Sequence, residues 1–183
     1  MDKINGLPFV RAYWVVPGRV AAGNYPGDRN AEEAASKLAG LLESGLNTVI
    51  NLMPVDESDH DGEPFVPYED LFAEIAAANQ TEVTCLRYPI ADLSVPSPQQ
   101  MRLILDAIDQ SLARNSGVYV HCRAGIGRTG TVVGCFLIRH GLASGESVLE
   151  RLAQLRSGIP GAEVASPETE YQIAMVTGWR EGE

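Results

Sequence analysis

The sequence predicts a single α/β domain with a central, mixed but mostly parallel sheet that helices cover on both faces. Candidate strands and helices alternate along the chain with short connections. The 183 residues are 45% hydrophobic and 21% charged, which is ordinary globular usage and enough chain for one core. We therefore expect one domain over residues 1–183, with its core between about residues 10 and 180 and no repeat or linker.

Hydrophobic periodicity and helix-capping residues place the individual elements. The predicted strands cover residues 13–16, 20–22, 48–52, 83–90 and 118–121. The predicted helices cover residues 31–44, a segment opened by Pro67, residues 98–112, a segment around 132–138, and residues 145–156 and 167–179. Asn30 and Ser97 are favoured N-caps, and Pro67 and Pro167 suit a first helical turn. Residues 53–66, here called the acidic loop, join the third strand to the second helix.

Charge and composition exclude several classes of function. The formal net charge of −10, from 24 acidic and 14 basic residues, argues against a nonspecific nucleic-acid binder and against stable membrane association. Residues 1–6 lack the basic start and apolar core of a signal peptide, and no apolar run approaches 18 residues, so we expect a cytoplasmic protein. The three cysteines, Cys85, Cys122 and Cys135, have no zinc spacing and cannot all pair.

The most informative segment follows the predicted strand at 118–121. It reads His121-Cys122-Arg123-Ala124-Gly125-Ile126-Gly127-Arg128-Thr129-Gly130, and residues 122–127 are here called the cysteine loop. A strand, a glycine-rich turn and a helix in succession direct backbone N–H groups and a helix N-terminus at one spot, which suits phosphate. Cys122 ends the strand and Arg128 begins the helix, so an oxyanion could lie over the sulfur while the guanidinium binds two of its oxygens.

The same segment predicts supporting roles for its other residues. The phosphate-binding groups are expected to be the main chain of Arg123, Ala124, Gly125, Ile126 and Gly127 together with the Arg128 guanidinium. The positive field of these groups favours the thiolate form of Cys122, and the Thr129 hydroxyl can donate to that thiolate. His121 is expected to support the loop from beneath by hydrogen bonding, because an ionised sulfur needs no base.

Other interpretations of this segment stay open. Residues 125–130 match the dinucleotide fingerprint G-x-G-x-x-G, but the acidic residues about 20 positions on, Glu146 and Glu150, lie in a predicted helix and not at a strand end. A Walker A loop would need a lysine where Thr131 stands. A rhodanese-like sulfurtransferase also places a cysteine in an anion-binding loop, and a non-catalytic module could hold phosphorylated ligands without turnover.

His121-Cys122 with Arg128-Thr129 resembles the H-C-x5-R-[ST] signature of the protein tyrosine phosphatase superfamily, and the chain is most similar to its compact atypical dual-specificity phosphatases. The resemblance covers most of residues 14–176. It includes Trp14 to Ala21, the Ile90-Ala91-Asp92 segment followed by Pro96 and Pro98, and Ser166 to Gln172. It implies the single-domain cysteine-phosphatase fold. It also implies hydrolysis of phosphorylated protein or small phosphoesters through a phosphocysteine intermediate, with no cofactor and no metal.

The resemblance further implies residue roles. Cys122 would be the nucleophile, Arg128 the ligand of the phosphate and of the transition state, and Asp92 the general acid. Thr129 would be the partner of the thiolate, and Gln172 would help to place the hydrolytic water. From the residues alone the acid stays open among four carboxylates, which are Asp56, Asp59, Glu63 and Asp92.

Departures from the family pattern limit the expectations. Classical tyrosine phosphatases have Trp-Pro before the acid, whereas this chain has Ile90-Ala91, so a large closing lid is not expected. Phosphotyrosine, phosphoserine or phosphothreonine, a phosphoinositide and a small phosphate ester all remain possible substrates. The charge of Arg123 would suit a polyanion, or it would lie exposed on the outer side of the loop. The sequence does not set the oligomeric state.

The acidic loop and the two remaining cysteines are expected to contribute less. The polar residues of the loop are Asp56, Glu57, Asp59, His60, Asp61 and Glu63. An EF-hand would need a glutamate where Tyr68 stands, so we expect a solvated acidic loop and no metal site. Cys85 and Cys135 are expected to be core thiols, and a reversible disulfide with Cys122 after oxidation is possible.

Overall fold

The computed structural model describes residues 6–59, 61–145 and 147–183, which form one α/β domain around a five-stranded sheet. The strands are β1 (Ala12–Val16), β2 (Val20–Gly23), β3 (Thr48–Asn51), β4 (Thr84–Arg87) and β5 (Val118–His121). The helices are α1 (Ala31–Glu43), α2 (Glu69–Ala78), α3 (Pro98–Ala113), α4 (Gly127–Arg139), α5 (Ser147–Arg156) and α6 (Glu170–Gly178). The predicted fold class is confirmed. Residues 1–5, on which the signal-peptide argument depends, lie outside the described residues, as do His60 and Glu146.

The sheet is mixed and mostly parallel, with strand order β1-β2-β5-β3-β4. Among the strands that the structure describes, only the β1–β2 pair is antiparallel. In the parallel part, Gly23 and Asn51 are both in register with His121, and Arg87 is in register with Asn51. Four strands therefore end at the same edge of the sheet, where the loops that follow them meet.

Helices cover both faces of the sheet. α1 and α2 pack on one face over a cluster that includes Leu38, Leu41, Phe72 and Tyr119. α3, α4, α5 and α6 pack on the other face, and α4 is buried over nearly its whole length. No helix in the described part of the chain combines the length and the apolar character needed to cross a bilayer.

Helix caps were predicted well where the cap is a short polar side chain. The side chains of Asn30 and Ser97 accept hydrogen bonds from the first turns of α1 and α3, as expected. α2, however, begins two residues after Pro67, at Glu69, and its N-cap residue Tyr68 makes no side-chain cap because that side chain is used elsewhere.

The other incorrect boundaries have different causes. α6 begins at Glu170 because Thr169 and Gln172 form a capping box, which takes precedence over the proline at 167. β4 is four residues long where eight were predicted, because its partner β3 offers only residues 48–51 for pairing. Residues 88–90 continue as the loop that carries Asp92.

Candidate active site

The carboxyl edge of the sheet gathers four loops. The residues after β2 include Tyr25, and the residues after β3 form the acidic loop. The residues after β4 form what we call the Asp92 loop (residues 90–96), and β5 runs directly into Cys122. Groups that are separated by up to a hundred residues in the chain therefore meet around the cysteine loop.

The backbone of the cysteine loop is held from outside. The carbonyl oxygens of Cys122, Arg123 and Ile126 each accept a hydrogen bond from another element. The donors are His121 Nδ1 at 3.2 Å, the Tyr25 N–H at 3.1 Å and Ser166 Oγ at 2.8 Å. Because the N–H and C=O of a peptide unit point in opposite directions, carbonyls bound from outside turn N–H groups toward the centre of the loop.

Glycine at position 125 is needed for this shape. Gly125 has φ of +75°, in the left-handed region that costs other residues energy. A Cβ there would also lie 2.4 Å from the Gly23 carbonyl carbon, so no side chain fits between the cysteine loop and the end of β2. The glycine-rich composition thus serves both the turn and the close approach.

The N–H groups of the loop have no partner within the described chain. None of the hydrogen bonds formed by the described residues is donated by a backbone N–H of residues 123–129. α4 begins within this segment, and its N-cap residue Ile126 provides no side-chain cap. Unpaired N–H groups at a helix N-terminus form a binding site for an anion, here directly beside Cys122.

Arg128 lies beside the sulfur with its side chain only 1% exposed. Nη2 donates to Glu57 Oε1 at 2.8 Å, and Nη1 donates to the other oxygen of that carboxylate and to the Ile90 carbonyl at 3.1 Å. Burial alone would lower the pKa of Arg128, but the Glu57 hydrogen bond and the charges of Cys122, Glu57 and Asp92 raise it above its ordinary value. Nε is buried without a partner among the described residues, which leaves one N–H donor of the guanidinium for an anion.

Asp92 reaches the same guanidinium from the Asp92 loop. Its Oδ1 lies 3.0 Å from Arg128 Nη2, and its Oδ2 lies 3.3 Å from Arg123 Nη2. The structure thus brings together Cys122, Arg128 and Asp92 and places the Arg123 side chain against the predicted acid. The other acid candidates lie elsewhere, since Asp56 and Glu63 are exposed and Asp59 pairs with Arg29 at 2.7 Å.

Glu57 corrects the expectation of a solvated acidic loop. Its carboxylate binds Arg128 with both oxygens and is 10% exposed. Asp59 is also engaged, because its Oδ1 accepts the N–H groups of Asp61 and Glu63 and folds the loop back on itself. The signal that could have identified Glu57 is indirect: a buried arginine needs a counter-charge, and this loop follows the neighbouring strand. Nothing in the spacing distinguished it from the other carboxylates.

His121 lies beneath the loop, as the sequence argument placed it, and Tyr68 is the partner that this argument missed. The carbonyl of Cys122 can only accept, so His121 Nδ1 carries the proton, and Nε2 accepts from Tyr68 Oη at 2.7 Å. Burial lowers the pKa of His121 to about 3, the hydrogen bond to the Cys122 carbonyl opposes this, and the charges of Arg87 and Arg128 add to the lowering. Burial also raises the pKa of Tyr68 well above its ordinary value. Both rings are therefore neutral supports.

Thr129 lacks its expected contact, and the Gln172 amide binds main-chain groups. Thr129 Oγ1 is buried and has no partner among the described residues, so the predicted hydrogen bond to the Cys122 sulfur is not formed. Sulfur is a weak acceptor, so it holds a hydroxyl less firmly than an oxygen would. The Gln172 side chain is fully buried, with Oε1 accepting from the N–H groups of Glu168 and Thr169 and Nε2 donating to the Ser94 carbonyl at 3.0 Å.

The other two cysteines lie outside the cysteine loop. Burial raises the pKa of Cys85 to about 12, and it raises the pKa of the Cys135 thiol well above its ordinary value. Cys135 is a core thiol, but Cys85 is only partly buried, and all three cysteines are free. Within the described ranges no three His, Cys, Asp or Glu side chains are grouped as a metal centre would need.

The fold and the arrangement around Cys122 define a compact dual-specificity phosphatase of the protein tyrosine phosphatase superfamily. The family model described as "Tc-R-P: Polymorphic toxin system, DSP-PTPase phosphatase" matches residues 23–142, and the chain belongs to this family. The resemblance inferred from the cysteine-loop signature is confirmed.

Individual relatives agree with this assignment. The chain is 26% identical to the tyrosine-protein phosphatase cdc-14 of Caenorhabditis elegans over 172 residues, which cover 87% of this chain and 20% of that protein. It is 33% identical to the phosphatidylglycerophosphate phosphatase PTPMT2 of Arabidopsis thaliana over 91 residues, which cover 49% of this chain and 40% of that protein. The crystal structure of Tk-PTP in its active form matches with a TM-score of 0.65 at 24% identity, covering 92% of this chain and 95% of that one. The chain thus spans well under half the length of these two curated relatives.

Proposed function

We propose that this chain is a metal-independent phosphomonoesterase that transfers the phosphoryl group of its substrate to Cys122 and then to water. One observation carries the proposal. Cys122, the unpaired N–H groups of residues 123–129 and the unpaired Nε–H of Arg128 converge at the N-terminus of α4. A phosphate dianion is the ligand that such a set of donors fits, and a sulfur anion beneath it is placed for attack on phosphorus.

Substrate binding uses the main chain and one guanidinium. The phosphate oxygens would accept from the loop N–H groups and from Arg128 Nε, while Glu57 keeps the other side of the guanidinium in place. Cys122 is 2% exposed and forms the floor of the site, whereas Asp92 stands at the rim with its side chain 42% exposed. The ester oxygen of a bound substrate therefore points outward, toward Asp92.

The first chemical step forms a bond from Cys122 Sγ to phosphorus and breaks the bond from phosphorus to the ester oxygen. Asp92 gives its proton to the departing oxygen, because an alkoxide or phenoxide is a poor leaving group without one. Arg128 and the loop N–H groups stabilise the charge on the three phosphoryl oxygens in the transition state. The products of this step are the free alcohol and phosphocysteine.

The second step hydrolyses phosphocysteine. Asp92, now ionised, takes a proton from water as the water oxygen bonds to phosphorus, and the S–P bond breaks to return the Cys122 thiolate and release phosphate. The first step needs an ionised thiol together with a protonated carboxyl. We therefore expect a bell-shaped dependence of rate on pH with a mildly acidic optimum.

The surroundings of the loop favour a substrate with a single phosphate. A cleft of about 230 Å³ beside Arg123 contains two further cations, Arg29 and Lys37. Each of the three cations already has a carboxylate partner, with Arg29 on Asp59, Lys37 on Asp28 and Arg123 on Asp92. These pairs leave no surplus of positive charge to attract a polyphosphorylated headgroup, so we propose a phosphomonoester of a protein side chain as substrate.

Hydrolysis of para-nitrophenyl phosphate in the presence of a chelator tests this function. We expect turnover by the unmodified chain and none by Cys122→Ser, because an alcohol at this position is not ionised and cannot replace the thiolate. Cys85→Ser is the matched control, since its thiol is protonated and lies outside the site. Loss of turnover with chelator, or equal activity in Cys122→Ser, would rule out the proposed function.

A further inference from the structure

Arg128 and Thr169 donate hydrogen bonds to the Ile90 and Leu93 carbonyls of the Asp92 loop. Two further points, at Asp92 and Ser94, also fasten this loop to the rest of the site. We propose that Arg123 and Gln172 are positioning residues that hold this loop closed over the cysteine loop before substrate arrives, so that the general acid is in place without a lid movement. The inference rests on the function proposed above. It assigns to Gln172 a task different from the placement of water.

The first point is the Asp92 carboxylate. Its two oxygens are bound by different guanidinium groups, Oδ1 by Arg128 at 3.0 Å and Oδ2 by Arg123 at 3.3 Å. Arg128 must turn donors to the phosphate once substrate binds, whereas the Arg123 side chain can remain on the acid. The Arg123 main chain is fixed by the hydrogen bond from the Tyr25 N–H to its carbonyl at 3.1 Å. Arg123 can therefore hold Asp92 throughout turnover, because Oδ2 accepts from its guanidinium while Oδ1, released by Arg128, carries the proton for the leaving group.

The second point is the Ser94 carbonyl, two residues further along the loop. Gln172 Nε2 donates to it at 3.0 Å. The orientation of this amide is determined, because Gln172 Oε1 accepts the N–H groups of Glu168 and Thr169 at 3.0 and 3.1 Å. The capping box of α6 thus fixes the amide, and the amide fixes the Asp92 loop.

Leu93, between the two points, is strained. Its φ is +60°, in the left-handed region that is unfavourable for a non-glycine residue. Its side chain is 54% exposed and so gains little from packing in return. Such a conformation persists where the surroundings determine it. Here they are a turn closed by the hydrogen bond from the Ser94 N–H to the Ala91 carbonyl at 3.1 Å, and the contacts of Arg123 and Gln172 that hold this turn on either side of Leu93.

The dependence of the rate on the leaving group tests the part played by Arg123. Phenyl phosphate has a poor leaving group that needs the acid, and para-nitrophenyl phosphate has a good one that needs it less. We expect Arg123→Met to lower kcat for phenyl phosphate about tenfold more than for para-nitrophenyl phosphate, and Arg123→Lys to restore most of the loss. Arg114→Met, at an exposed position beyond α3, is the matched control and should change neither rate.

A double-variant comparison shows whether Arg123 acts through Asp92. In an Asp92→Asn background, Arg123→Met should cause no further loss on either ester. Equal losses on both esters, or losses that multiply in the double variant, would overturn the role of Arg123. If Asp92→Asn itself leaves the ratio of the two rates unchanged, the acid assignment of the proposed function is wrong. Arg123 and Gln172 then have no general acid to position.

The Gln172→Glu variant distinguishes the proposed role of Gln172 in positioning the Asp92 loop from a role in placing the hydrolytic water. Glutamate keeps the acceptor of the capping box but places a second oxygen against the Ser94 carbonyl. We expect the same leaving-group-dependent loss as in Arg123→Met, again absent in the Asp92→Asn background. A different result would be a rapid burst of para-nitrophenol followed by slow turnover, with no larger loss of kcat for phenyl phosphate than for para-nitrophenyl phosphate. This result would assign Gln172 to the water step and overturn its role in positioning the Asp92 loop. Thermal unfolding of each variant confirms that it is folded, and Gln110→Glu on the exposed face of α3 is the matched control.

Discussion

Two carboxylates bind the same guanidinium from different loops, and their surroundings differ. Glu57, in the acidic loop, binds Arg128 with both oxygens and is 10% exposed. Asp92 touches Arg128 with one oxygen and is 42% exposed. The buried, two-pronged contact is suited to a permanent counter-ion, and the open, single contact is suited to a group that exchanges a proton with substrate and water.

The expected energies support this difference in role. Removing one partner of a buried ion pair leaves an uncompensated charge and costs about 3–5 kcal/mol. An exposed contact contributes about 0–1 kcal/mol and is easily exchanged. Phosphate can therefore replace Asp92 on Arg128 at little cost, whereas it cannot replace Glu57. The same arginine is fixed on one side and available on the other.

Replacing the shared partner should have the largest effect. Arg128→Lys keeps the charge but loses the forked donors that bind Glu57 and phosphate at once. We expect turnover of para-nitrophenyl phosphate to fall to background in steady-state assays. Activity within tenfold of the unmodified chain would show that a point charge suffices and that the two-sided geometry of Arg128 does not matter.

Replacing the exposed carboxyl group of Asp92 by an amide, which cannot act as the general acid, should have the next largest effect. Asp92→Asn should lower kcat for phenyl phosphate by roughly a hundredfold, within the range of general acid catalysis, and lower it far less for para-nitrophenyl phosphate. The asparagine still fills the same space, so stability should be nearly unchanged. Equal losses on both esters would remove Asp92 from the acid role.

Neutralising the buried carboxylate should give a smaller loss with the opposite pattern. Glu57→Gln should lower kcat/KM about tenfold on both esters alike, because it disturbs Arg128 and not the leaving group. It should also destabilise the fold by about 3 kcal/mol in urea unfolding, since a buried guanidinium loses its counter-charge. A leaving-group-dependent loss in this variant would mean that Glu57, and not Asp92, supplies the proton.

The effect expected at His121 is on stability and appears only at acid pH. The pKa of His121 is about 3 in the folded protein against an ordinary value of 6.5, so the unfolded chain gains a proton below pH 6.5 that the folded protein does not bind. Stability from this group is complete above pH 6.5 and is lost as the pH falls toward 3, by on the order of 3 kcal/mol at pH 4. Urea unfolding between pH 7.5 and 4 should show a steeper loss in the unmodified chain than in His121→Asn. Identical slopes would contradict a neutral, buried His121.

The sequence was most informative where neighbouring residues carry the signal. Hydrophobic periodicity and helix-capping residues predicted the five strands and six helices of the described residues. The cysteine, glycines and arginine of the phosphate-binding segment lie within ten residues of one another in the sequence. Asp92 is different, because the residues alone left four candidates and the family resemblance selected it. In the structure only Asp92 among those four contacts Arg128.

The contacts that were missed join residues far apart in the chain. Glu57 meets Arg128 across 71 positions, and Tyr68 meets His121 across 53. In both cases the residue type is ordinary, and only the parallel register of the strands brings it to the site. The pairing of Arg123 with Asp92 was missed for the same reason, since position along a loop does not show which way a side chain turns.

Detection of the phosphorylated cysteine tests the central claim most directly. The Asp92→Asn variant should be mixed with para-nitrophenyl phosphate and quenched during turnover, because without its base the second step is slow. Mass spectrometry of the peptide containing Cys122 should then show one phosphoryl group on sulfur, absent from Cys122→Ser treated in the same way. Continued release of phosphate with Cys122 unmodified at every time point would contradict the account.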